Sequence, residues 1–226
     1  MSVCARARST VSTSTPPALR IKSHWFRPGA GRSPAEQASA MAFIVFRVAN
    51  QMLKRMRGAA FDIDAGPPYF AFLREVLAFL IAVTDRIAHA RLDAAAREEF
   101  TVALVRHVAR ILAENELDLL GAPQAGAPAY ADSFVDLVNE LSGHYAEFGA
   151  EPGVDDPAAG FRPDFSFLRY LGSRIEPTLP PKDRPWVLDQ VMAIEAPEAV
   201  AIVQRSMRDL HDPAPRRAPR RAMSGE

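Results

Sequence analysis

Between Pro67 and Ile87 the apolar side chains keep a helical beat. After Pro67-Pro68, a favoured opening, Phe72, Leu73, Val76, Leu77, Leu80, Val83, Thr84 and Ile87 return at spacings of three and four. Arg86, His89 and Arg91 follow in or near the last turn, where positive charge complements the helix dipole. No stretch of the chain alternates with period two between turn signals, and no unit repeats at a fixed interval. The expected fold is therefore all-α: a single bundle-like domain of five to six helices with disordered basic N- and C-terminal tails.

The remaining helices follow from the same reading. Asp93 is a good N-cap for a helix to about Leu120, with Phe100, Leu104, Val108, Ile111 and Leu112 on one face and Gly121 as its stop. Phe134, Leu137, Val138, Leu141, Tyr145 and Phe148 form the clearest stripe, opened by Ser133-x-x-Asp136 as a capping-box variant and closed by Gly149. A long Gly/Pro/Asp-rich loop spans 149–163. Asp164 then caps a short helix with Phe165, Leu168, Leu171 and Ile175, ended by Pro177. Pro185 opens another with Trp186, Val187, Val191, Met192 and Ile194, and Pro197 a last one with Val200, Ile202, Val203, Met207 and Leu210. Trp186 and the other aromatics at helical spacing are expected in the core.

The formal net charge of zero divides unevenly along the chain. Residues 1–57 carry ten cations and one acid, residues 58–211 thirteen cations and 24 acids, and residues 212–226 four arginines and two acids, giving +9, −11 and +2. An acidic body is a poor partner for nucleic acid, whose phosphates require clustered cations. The organisation expected is a disordered basic segment over 1–40, a basic amphipathic helix over 41–57, an acidic helical domain over 58–211 and a disordered Arg/Pro tail over 212–226. Ala38-Ser39-Ala40 lacks the apolar run that a signal peptide needs before its cleavage site. Segment 1–40 is read as an upstream open frame with Met41 the natural start, or else as a transit peptide. The single cysteine, Cys4, permits no intramolecular disulfide and suits a reducing, cytoplasmic setting.

Candidate chemistry is sparse. Phosphate-binding glycine loops, the H-E-x-x-H helix, paired C-x-x-C and the G-x-S-x-G elbow are all missing, so no cofactor is expected. Asp136, Glu140, His144 and Glu147 share one helix face and could ligate a divalent metal if they faced another helix, although the apolar stripe already claims the interior side. His89 pairs with Asp85 at i−4, and His107 sits between Arg106 and Arg110. Asn139 and Glu140 could form a buried register pair with Arg86 or Arg169. In 41–57, Phe43, Phe46, Arg47, Lys54 and Arg55 are candidates for contact with a partner or an anionic membrane surface, the alternative being a helix packed on the domain. Arg47 interrupts the apolar run too early for a membrane span. The function expected is non-enzymatic: an adaptor, assembly factor or accessory subunit working through protein–protein contacts. The alternatives are a metal-dependent or small-molecule helical enzyme using the Asp136 face, and a peripheral membrane protein held by 41–57.

Overall fold

A helix that is apolar around most of its circumference has to be buried over most of it, and Pro67–His89 (α2) meets that condition. Thirteen of its residues, from Phe70 to Ala88, are buried. The computed structural model, which describes residues 33–150 and 161–211, packs α2 against five neighbours. They are α1 (Pro34–Gly58), α3 (Ala94–Leu120), α4 (Tyr130–Glu147), α5 (Phe165–Ile175) and α7 (Ala196–His211). Glu176–Thr178 adds a 3-10 turn after α5, and α6 (Arg184–Gln190) runs through a π turn at Val191–Glu195 straight into α7. Counting 184–211 as one rod, the described residues form six helices around one core, with an isolated antiparallel bridge between Ala150 and Pro163 and no named strand.

Order begins earlier than 41. Ser33 Oγ accepts from the Glu36 N–H at 3.2 Å, Glu36 Oε2 accepts from the Ser33 N–H at 3.1 Å, and Pro34 occupies the first turn. This is a full capping box. Ala38, Met41 and Ala42 are completely buried one and two turns further on, so the part of 1–40 expected to be disordered is helical from residue 34. The helix over 41–57 is likewise no appendage, since Val45, Val48, Met52, Leu53 and Met56 belong to the same core as α2. The expectations for residues 1–32, most of the 149–163 loop and 212–226 lie outside the described residues.

The central helix carries four charged residues, and each holds a neighbour in place. Arg74 grips Glu116 of α3 through two bonds of 2.8 and 3.0 Å, while its remaining N–H groups meet Ser133 Oγ and the Tyr130 carbonyl at the start of α4. Glu75 accepts two bonds from Arg174 of α5, at 3.0 and 2.8 Å. Asp85 accepts from Arg97 at 3.0 Å and from Thr101 at 2.7 Å, both on α3. Arg86 donates to the Tyr145, Ala146 and Phe148 carbonyls at 3.0–3.1 Å, satisfying the end of α4. Eleven residues make about three turns, so Arg74 and Asp85 share one face of α2, and Glu75 and Arg86 another. Because the charge signs on α2 and α3 exchange between the two ends of their contact, reversing α3 would set like charges together and sliding it would part both pairs.

Several local expectations are corrected. Tyr130, not Ser133, begins the α4 region, its N-cap is Ala129, and the Ser133 hydroxyl serves Arg74 instead of a capping box. Trp186 is 68 % exposed and Phe165 64 %, because the buried positions beside them are Val187 and Phe167. Ile194 is also turned outward, from the π turn. Pro197 opens no separate helix: its missing N–H and its ring exclude the normal bond pattern, and the chain widens so that the Ala196 N–H donates to the Val191 carbonyl five residues back.

Candidate functional site

The positions suggested by sequence separate into three groups. Asp136, Glu140, His144 and Glu147 are all exposed, with His144 resting against the Tyr170 ring at 5.6 Å. Among the described residues no three His, Cys, Asp or Glu side chains are grouped to hold a metal. On α1, Phe43, Arg47 and Lys54 face outward, whereas Phe46 packs against the core and Arg55 bonds to Glu195 at 2.8 Å and to Glu198 of α7. Arg55 is therefore an internal brace rather than a free membrane contact. No described helix is long and apolar enough to cross a membrane.

The proposed polar pairs also rearrange. Asp85 is taken by Arg97 and Thr101 rather than by His89. Asn139, Glu140 and Arg169 stay at the surface while Arg86 turns to the α4 carbonyls. His107 does lie beside a cation, its Nδ1 3.3 Å from Arg110 Nη2.

A groove on the surface lies outside every expectation drawn from the sequence. Its volume is about 1170 Å³, and it runs between α3 and α4, with the C-terminal half of α2 as its floor. Ile81 and Ala82 line the floor, Val102, Val105, Ala109, Ala113 and Leu117 one wall, and Ala131, Val135 and Val138 the other. The opening follows from side-chain size. Where the buried faces of these helices use Phe100, Leu104, Leu112, Phe134 and Leu141, the faces turned to the groove carry mostly Ala and Val, whose small side chains leave space between them. Val102 and Leu117 remain 43 % and 48 % exposed along its edge. Two of the three polar groups at the floor are engaged internally, Asp85 with Arg97 and Thr101 and Arg86 with three carbonyls, while His89 lies exposed at its end. The signal available in the sequence was the Ala/Val bias at 102, 105, 109, 113 on α3 and 131, 135, 138 on α4, a second apolar stripe beside the core stripe.

Below the groove, on the α5 side, Phe79, Tyr145, Phe148, Phe161, Phe167 and Tyr170 form a continuous aromatic cluster with centroid separations of 4.7–6.4 Å. The Tyr145 hydroxyl is buried there with no hydrogen-bond partner among the described residues. Burial, then the nearby Glu75 carboxylate, holds its ionisation well above the usual tyrosine value. No protein-family model matches the chain, and neither a curated protein nor a solved structure shows a significant match to it.

Proposed function

We propose that this protein acts through protein–protein contact, as an adaptor, assembly factor or accessory subunit in the cytoplasm, and that the groove between α2, α3 and α4 receives a helix of its partner. The groove supports this reading. It is walled by two helices, with Ala, Val, Ile and Leu forming an apolar strip between charged and polar residues, the pattern on which an amphipathic helix lays its apolar face. Its floor charges are already bonded within the protein, which suits apolar contact better than proton transfer.

The test compares wild type with a Val102→Glu/Leu117→Glu variant, which charges two exposed positions on the groove edge, and with Glu140→Ala/His144→Ala as a remote control. A partner retained by wild type and by the control, lost from the groove variant, and then shown to bind wild type directly when purified is the expected result. Retention of every captured protein by a folded groove variant would refute the assignment.

A further inference from the structure

The groove edge carries charges that the protein itself leaves unanswered. Along α3, Glu98, Val102, Arg106, Arg110 and Glu114 form one row at four-residue spacing, all exposed and all lining the groove. Among the described residues neither arginine has a carboxylate partner, and the polar contact of Arg110 is His107. Two like charges one turn apart weaken a helix; Glu114, one turn on, offsets this for Arg110, whereas Arg106 has no acid three or four residues away on α3. Across the groove, Asp132 of α4 joins Glu114 as a second exposed acid toward the end where α3 and α4 are connected.

Resting on the docking role above, we infer that the occupant is a partner protein's amphipathic helix bearing an acid–acid–base row at i, i+4 and i+8 beside its apolar stripe. A helix laid along α3 advances about 6 Å for every four residues, as α3 does, so the two acids meet Arg106 and Arg110 while the base meets Glu114 and Asp132. The acids relieve the arginine repulsion, and the base fixes the direction in which the helix lies. The ends of this chain do not fit: residues 1–32 hold six cations and no acid, and residues 212–226 hold four arginines and two acids, Asp212 and Glu226, too far apart in sequence to form the acid–acid pair.

The experiment uses the full chain and two fluorescein-labelled peptides of about six turns that share one leucine stripe. One carries Glu, Glu, Lys in the flanking row and its twin Lys, Lys, Glu; binding is followed by anisotropy. The Glu, Glu, Lys peptide is expected to bind about tenfold more tightly at low salt, a ratio that shrinks toward one in high salt. Arg106→Glu/Arg110→Glu, with unchanged far-ultraviolet circular dichroism, should prefer the twin instead. Equal affinities that Val102→Glu/Leu117→Glu abolishes would overturn the charge row but leave the groove as a docking site. Affinities that this variant does not change would refute both, and failure of either peptide to bind would overturn the inference, the groove then standing or falling on the partner experiment.

Discussion

Substituting Met for Arg74 removes the cation and keeps most of the apolar stem. Glu116, with its side chain only 2 % exposed, then loses both bonds to the guanidinium and has no water to replace them. Breaking one side of a buried ion pair in this way costs about 3–5 kcal/mol. For a chain of this length that amounts to a fall in melting temperature of roughly 6–20 °C. The converse change, Glu116→Leu, should cost less, about 1–2 kcal/mol, because Arg74 is 17 % exposed and keeps Ser133 and the Tyr130 carbonyl as partners. Combining the two should recover most of the loss, since an apolar pair of similar volume often replaces a buried ion pair without penalty. Urea unfolding followed by circular dichroism measures all four proteins. A loss below about 1 kcal/mol for Arg74→Met, or a double variant no more stable than that single one, would refute the view that α2 is held to α3 by a charge that needs its partner.

Two further outcomes follow from the same contacts. A chain begun at Met41 loses the Ser33–Glu36 box and the fully buried Ala38, and should be less stable by about 2 kcal/mol or more than one begun at Arg32; equal melting temperatures would contradict the helix start. Tyr145→Phe removes a buried hydroxyl without a bond and should raise stability by about 1 kcal/mol at neutral pH. Because folding raises the pKa of Tyr145, the unfolded chain releases its proton first as pH passes about 10, and wild type loses stability from there upward. The variant should lose less, and identical alkaline unfolding of the two would count against the burial of that hydroxyl.

The helices were readable because their signals are local. Proline openings at 67 and 185, Asp93 and Asp164 as caps, Gly121 as a stop and the three-and-four spacing of apolar residues each act within a turn or two. The start of α1 was signalled too, by Ser33-Pro34-x-Glu36, but the alanines that follow pack through small size rather than through a visible stripe. What could not be read was which helix sits at the centre and what its charges do. Arg86 looked sufficient as a dipole partner for its own helix, yet it serves the end of α4, about 60 residues away in sequence. Glu75 and Arg174 are likewise 99 residues apart. The groove was missed for a related reason: it exists only where the alanines of α3 face those of α4, a relation between helices rather than along one. Trp186 shows the reverse error, since a large aromatic at helical spacing need not lie on the buried side.

The brace between Arg55 and the Glu195/Glu198 pair joins the first described helix to the last. During synthesis α1 and α2 leave the ribosome long before residues 195–207 exist, and until those arrive one flank of each has nothing to cover it. Closure of this fold thus has to wait for nearly the whole chain, so a nascent chain arrested before α7 presents the flanks of α1 and α2 that α7 covers as an adhesive surface to whatever meets it first.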